Sequence, residues 1–225
     1  MSDMNKRLFL RKLAGTSLGL VAASVGGTAL AKSAKRGGAA ARPGHMGGAE
    51  RRRARFPNVP LIDHEGKVVR FYDDLVKDKT VLINFMYTRC NDGCPMNTAN
   101  LKKVQKELGD RVGRDIFMYS LSLEPEHDTP EKLATYAEHF KVAPGWRFLT
   151  GTQAHLEQLR QALGFVNPDP VLDKDRNQHI GGVRMGIEPL ERWMLAPALA
   201  NAKYLARYVE WMEPQGKRPD LTELS

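Results

Sequence analysis

Hydrophobic positions change their spacing at residue 88 of this 225-residue chain. Before it, the largely apolar run Val81 to Tyr87 has the length of a buried strand. After it, apolar residues recur near helical spacing at Met96, Leu101, Val104 and Leu108. The pattern predicts a buried strand that leads through a short turn into an amphipathic helix.

Two short segments ahead of this strand predict a β-hairpin. Val59 to Asp63 and Val68 to Tyr72 have the composition of strands, and Gly66 between them tolerates the positive φ of a tight turn. A brief helical turn is expected from Asp73 to Lys79, just before the buried strand.

The rest of the chain alternates predicted strands and helices. Thr129 is typical of a helix N-cap, and Pro130 suits the first helical position because its missing N–H has no partner there. In chain order we expect a strand at 116–123, a helix at 131–140, a short strand at 146–149, a helix at 153–163, a polar excursion at 165–178, a closing hairpin of 180–185 and 190–195, and a helix at 200–212. The alternation predicts an α/β fold compatible with a thioredoxin-type sheet.

The chain's two cysteines, Cys90 and Cys94, lie between the buried strand and the helix. A helix N-terminus carries partial positive charge, which favours thiolate over thiol. Thiols four positions apart on one helical turn would share a face and could reach a single ion. Thiolates are soft ligands that select Cu(I), and the same pair could instead form a disulfide. The pair therefore indicates either soft-metal binding or redox chemistry.

The N-terminal residues 1–31 read as an export signal. A basic stretch from Lys6 to Lys12 precedes the uncharged segment Leu13 to Ala31, which ends in an A-x-A cleavage pattern. The basic stretch is similar to a twin-arginine signal with Lys6 in place of the first arginine. The alternative is an uncleaved membrane anchor. Either way we expect an exported protein, periplasmic or attached to the outer side of the inner membrane.

Positive charge is concentrated ahead of the folded region. The formal net charge is +8, yet eleven of the 34 Lys and Arg lie in residues 1–53, which hold only two of the 26 acidic residues. Residues 32–54 are rich in Ala, Gly and Arg and predict a disordered basic linker. The remaining residues are nearly neutral overall, so we expect no nucleic-acid partner. Residues 214–225 are expected to form a C-terminal tail.

Two motifs resemble the Sco/SenC family of thioredoxin-like copper proteins, which assist cytochrome c oxidase assembly. The first is Phe85-Met-Tyr-Thr-Arg-Cys90-Asn-Asp-Gly-Cys94-Pro95, similar to that family's Cys-x-x-x-Cys-Pro pattern. The second is Ser120-Leu-Ser-Leu-Glu-Pro-Glu-His-Asp128-Thr-Pro130, in which Glu124 stands where the family usually has Asp. A Leu-Thr-Gly segment at 149–151 also matches.

The resemblance implies a thioredoxin-like fold with an N-terminal β-hairpin extension over residues 55–213. It also implies a copper ion held by Cys90, Cys94 and a histidine in the loop before the closing hairpin. His179 is the histidine in that region. Met185 is a further sulfur donor, although Met in a strand more often packs in the core. The implied partner is the copper-bearing subunit of cytochrome c oxidase, or another exported cuproprotein.

Two functional hypotheses follow. One is a copper metallochaperone that binds Cu(I) and Cu(II) and is not an enzyme in the turnover sense. The other is a thiol–disulfide reductase in which Cys90 attacks and Cys94 resolves, with a thiol reductant as partner. His179 discriminates between them, because a dithiol reductase does not require a histidine ligand.

Overall fold

The computed structural model describes residues 47–91, 93–175 and 181–214. Its strands are β1 (Pro60–Asp63), β2 (Val68–Arg70), β3 (Thr80–Met86), β4 (Ile116–Ser122), β5 (Trp146–Thr150), β6 (Gly182–Ile187) and β7 (Arg192–Pro197). Its α-helices are α1 (Gly48–Ala54), α2 (Gly93–Leu108), α3 (Pro130–His139), α4 (Gln153–Ala162), α5 (Pro170–Lys174) and α6 (Ala202–Met212). A π-helical turn occupies Phe71–Val76, and 3-10 turns occupy Gly109–Arg111 and Glu188–Leu190.

The described strands form one mixed sheet in the order β2-β1-β5-β4-β3-β6-β7. β3 is parallel to β4, with Thr80 opposite Ile116 and Met86 opposite Ser122, and β4 is parallel to β5. The β1–β2 hairpin lies antiparallel to β5 at one edge, and the β6–β7 hairpin lies antiparallel to β3 at the other. This arrangement confirms the predicted α/β sheet with its N-terminal hairpin.

β3 runs through the middle of the sheet. Six of its seven residues are buried, as in a strand covered on both faces. Both of its neighbours run through the same core, and the parallel partner β4 ends at the same sheet edge. Residues that follow β3 and β4 therefore meet, which brings the cysteine turn to the loop after β4.

Local signals in the sequence are borne out at two turns. Gly66 has a φ of +82°, as the hairpin prediction required. The side chain of Thr129 accepts a hydrogen bond from the N–H of Lys132 at 3.4 Å, so Thr129 caps α3 with Pro130 in the first turn.

The predicted disordered linker 32–54 is wrong for its last seven residues, which form α1. The side chain of Arg52 is ion-paired with Glu188 at 3.0 Å, and Arg51 and Arg53 are paired with Glu191 and Asp73. Composition alone predicted a solvated basic run because the acidic partners lie far away in the sequence. Residues 32–46 of the predicted linker lie outside the described residues.

Several element boundaries also differ from prediction; the first strand of the closing hairpin, for example, is Gly182–Ile187 rather than 180–185. The second strand of the closing hairpin begins at Arg192 rather than at residue 190, because Pro189 sits in the 3-10 turn and Glu191 adopts a left-handed φ of +52°. The polar excursion 165–178 contains the short helix α5, capped by Asp169. The predicted signal, residues 1–31, and residues 215–225 of the predicted tail lie outside the described residues. Within the described ranges, no helix is long and apolar enough to cross a membrane.

Candidate metal centre

The two cysteines meet where β3 ends and α2 begins, but they do not share a helical turn as predicted. α2 starts at Gly93, so Cys94 lies in its first turn, whereas Cys90 lies in the preceding turn and donates its N–H to the carbonyl of Tyr87 at 3.3 Å. The N–H of Cys94 then donates to Sγ of Cys90 at 3.4 Å. The sulfur of Cys90 thus accepts a hydrogen bond from the first turn of the helix, where the backbone N–H groups have no acceptor within the helix itself.

Both cysteines are present as thiols and both are buried, Cys90 with 8% of its surface exposed and Cys94 with 1%. The pKa of the Cys94 thiol is raised to about 12, chiefly by burial; a hydrogen bond from the Tyr87 backbone lowers it, and the neighbouring Cys90 and Asp128 contribute to the rise. For Cys94 the predicted effect of the helix N-terminus is therefore outweighed by loss of water. A cation that binds here must displace the thiol proton.

Asp128 is a fully buried carboxylate that holds the cysteine turn. Its Oδ1 accepts from the hydroxyl of Thr88 at 2.5 Å and from the N–H of Thr88 at 3.2 Å. Its Oδ2 accepts from the hydroxyl of Ser122, the last residue of β4, at 2.6 Å. One side chain thus ties the turn before the thiols to the end of the neighbouring strand.

A second carboxylate of the same loop holds the next residue of the turn. Arg89 donates from Nε to Glu124 at 3.0 Å, and its Nη2 lies 2.9 Å from the same oxygen. Glu124 is buried, while the Arg89 side chain is 57% exposed. The turn that carries Cys90 is therefore fixed at two consecutive positions.

The remaining predicted donors have different outcomes. His179 lies outside the described residues. Met185 is fully buried in β6 opposite Leu82 of β3, so it packs in the core. Within the described ranges no group of three or more His, Cys, Asp or Glu could hold a metal ion, so the described residues supply two of the three predicted ligands.

A comparison with known protein families identifies the family of the chain. The sequence model of the SCO1/SenC family matches residues 50–180. The chain belongs to the SCO1/SenC family. The matched range covers most of α1, the cysteine turn and the Asp128 loop, and it extends to the residue after His179.

Relatives of this SCO1/SenC protein come from bacteria and eukaryotes. The SCO1 protein homolog of Bacillus subtilis is 32% identical over 98 residues, which cover 43% of this chain and 49% of that protein. The mitochondrial SCO1 homolog of Homo sapiens is 28% identical over 128 residues, which cover 54% of this chain and 42% of that protein. The chain spans about half the length of the curated relatives that it matches.

Solved structures establish the thioredoxin-like Sco fold. Copper-bound ScoI of Bradyrhizobium japonicum superposes with a TM-score of 0.54 at 22% identity, covering 68% of this chain and 98% of that one. A SCO1/SenC family lipoprotein of Bacillus anthracis superposes with a TM-score of 0.56 at 22% identity, covering 69% of this chain and 92% of that one. Sequence identities this low show a shared fold and nothing more.

Sequence reasoning missed the residues that support the thiols. Tyr87, Thr88, Ser122 and Asp128 all fall inside the two quoted motifs, so the signal was present. Their roles became visible only when β3 and β4 were placed side by side, because Thr88 and Asp128 are 40 residues apart.

Proposed function

We propose that this protein carries copper as cargo through Cys90, Cys94 and His179, and delivers it for assembly of the copper site of cytochrome c oxidase. The observation that carries the proposal is the 3.4 Å hydrogen bond from the Cys94 N–H to Sγ of Cys90, which holds two soft sulfur donors side by side. Thiolates select Cu(I), and an added imidazole makes the donor set suitable for Cu(II) as well.

The surroundings of the thiols suit a tightly bound metal ion better than a reactive, unbound thiolate. Burial keeps Cys94 protonated in the metal-free protein, and binding releases its proton, so copper affinity rises with pH. The buried carboxylate of Asp128 also raises the pKa of Cys94, so the site favours a bound cation over an unpaired second anion.

The surroundings of Gly181 support His179 as the third ligand. A Cβ placed on Gly181 would lie 3.2 Å from the side-chain amide of Asn97, which is in α2 one turn after Cys94. Two residues of extended chain span at most about 7 Å. His179 precedes Gly181 by only two residues, and this short separation supports it as the proposed third ligand.

The names of relatives and fold neighbours support a role for this chain in copper binding and in cytochrome c oxidase assembly. The Bradyrhizobium japonicum and Arabidopsis thaliana ScoI structures have copper bound, and BsSco is described as a member of the Sco family of cytochrome c oxidase assembly proteins. For this chain we expect the predicted signal of residues 1–31 to direct the protein out of the cytoplasm. Such a compartment also favours disulfides, so a thiol reductant partner is needed to keep the site reduced.

A transfer experiment tests the delivery step. The full chain, loaded with one equivalent of Cu(I), is mixed with the copper-free soluble domain of the oxidase subunit and separated by ion exchange. We expect copper to move to the subunit and the Cys90→Ser variant to deliver none. Copper that stays on this protein, or that moves equally well from a small-molecule copper complex, contradicts a chaperone role.

The reductase alternative rests on the same two adjacent thiols, of which Cys90 is the more exposed. It predicts that the dithiol form reduces a disulfide in the copper-free oxidase subunit, with Cys90→Ser inactive and His179→Ala fully active. The copper proposal predicts instead that His179→Ala is impaired, so this variant separates the two functions.

A further inference from the structure

Tyr87 touches both sulfurs of the thiol pair. It directly follows β3, and only 7% of its surface is exposed. Its carbonyl accepts the N–H of Cys90 at 3.3 Å, its backbone hydrogen-bonds the thiol of Cys94, and its hydroxyl hydrogen-bonds the thiol of Cys90. The Cys90 sulfur also accepts the N–H of Cys94 at 3.4 Å and is hydrogen-bonded to the Cys94 thiol.

The phenol hydroxyl stays a donor in this position. Burial raises the pKa of Tyr87, and the hydrogen bond with Cys90 raises it further. A tyrosine hydroxyl is protonated at neutral pH, so it can donate a hydrogen bond to a thiolate sulfur. The position is also rigid, since Asp128 grips the next residue, Thr88, through both its N–H and its hydroxyl.

Hydrogen bonds to a cysteine sulfur alter its chemistry. A donor withdraws charge from the thiolate, which stabilises the reduced sulfur relative to a disulfide. In copper–thiolate sites the hydrogen bonding around the cysteine sulfur is one of the factors that set the redox potential. A donor to Cys90 therefore favours the dithiol over the disulfide and Cu(I) over Cu(II).

We propose that Tyr87 is a positioning residue whose hydroxyl, by its hydrogen bond to the Cys90 sulfur, favours the reduced dithiol over the disulfide and Cu(I) over Cu(II). The effect on the thiol–disulfide equilibrium requires only the two cysteines, whereas the effect on copper rests on the proposed function. Tyr87→Phe removes one oxygen atom and keeps the buried ring. Tyr119→Phe is the matched control, because Tyr119 is equally buried in β4 and burial alone raises its pKa, with no contribution from either cysteine.

The first test is the thiol–disulfide equilibrium in glutathione buffers. The dithiol gives up two electrons and two protons to form the Cys90–Cys94 disulfide, and one oxidised glutathione becomes two reduced molecules. Loss of one hydrogen bond should shift the equilibrium constant of Tyr87→Phe roughly two- to tenfold toward the disulfide, and Tyr119→Phe should match the wild type. No shift in Tyr87→Phe, or the same shift in both variants, overturns the proposal.

The second test is the absorption spectrum of the copper-loaded protein. A thiolate freed from its donor is easier to oxidise, so we expect the thiolate-to-Cu(II) band of Tyr87→Phe to move to longer wavelength while that of Tyr119→Phe stays in place. An unmoved band in Tyr87→Phe contradicts the copper half of the inference. A wild-type protein with no copper band contradicts the proposed function instead, and the glutathione equilibrium still decides the role of Tyr87.

Discussion

Arg52 in α1 donates from its Nε to Oε1 of Glu188 at 3.0 Å, although the two residues are 136 positions apart. Glu188 is 2% exposed and also accepts from the hydroxyl of Tyr72 at 2.7 Å and from the N–H of Asp78 at 2.8 Å. The basic segment ahead of the sheet is therefore bound to the start of β3. The thiols lie at the other end of the same strand.

Removal of Arg52 should destabilise the whole domain. Arg52→Ala leaves Glu188 buried with one donor fewer, and we expect the free energy of unfolding in urea to fall by about 2 kcal/mol. Arg51→Ala is the control, because the Arg51 and Glu191 side chains are both more than a third exposed and 3.8 Å apart. A surface pair of this kind contributes less than about 0.5 kcal/mol. Equal effects of the two variants would contradict the assignment.

Asp128 should matter for both stability and thiol geometry. Asp128→Ala leaves the N–H and hydroxyl of Thr88 and the hydroxyl of Ser122 without their acceptor, at a cost of about 3 kcal/mol. The loosened turn should also increase the rate at which Cys90 is alkylated. Glu138→Ala, on the exposed side of α3, should change neither the urea midpoint nor the alkylation rate.

The two thiols should react at different rates. Cys90 is the more exposed, and the pKa of Cys94 is raised to about 12 by burial. At pH 8 iodoacetamide should therefore modify Cys90 at least several times faster than Cys94, as measured by mass spectrometry of the Cys90→Ser and Cys94→Ser variants. In concentrated urea, which unfolds the domain, the rates should become equal. A faster Cys94 in the folded protein would show that the described burial is wrong.

Acid should remove the contribution of Asp173. Arg160 donates to both carboxylate oxygens at 2.7 Å and holds the pKa of Asp173 at about 2, below its ordinary 3.8. Because the folded-state pKa is lowered, the stabilisation is present above pH 3.8 and is lost as pH falls through 2. Solvent screening limits it to about 1 kcal/mol. Urea unfolding of Asp173→Asn should show a deficit at pH 6 that shrinks by pH 2, whereas Asp110→Asn should show none.

Much of the fold was accessible from local patterns. The run from Val81 to Met86 predicted a buried strand because a strand covered on both faces needs apolar residues at successive positions. Thr129 with Pro130 predicted a helix start, and Gly66 predicted a turn. Both signals depend only on a few neighbouring residues. Hydrophobic periodicity predicted both ends of α4 and of α6 to within two residues.

Long-range partners were not accessible in this way. Arg52 read as part of a linker because Glu188 cannot be paired with it from composition. The cysteines were expected on one helical turn because they are four positions apart, whereas α2 begins at Gly93 and Cys90 stays outside it. The role of Asp128 depends on the parallel register of β3 and β4, which brings Thr88 beside the loop after Ser122.

Copper titration of ligand variants tests the central proposal most directly. The reduced full chain is titrated with Cu(I) and with Cu(II) against a competing chelator, beside Cys90→Ser, Cys94→Ser, His179→Ala and the control His139→Ala, whose residue is exposed on α3. We predict one copper per chain, a thiolate-to-Cu(II) band that His179→Ala abolishes and His139→Ala retains, and no tight binding in either serine variant. Tight binding that is indifferent to Cys90, Cys94 or His179 would contradict the three-ligand copper site.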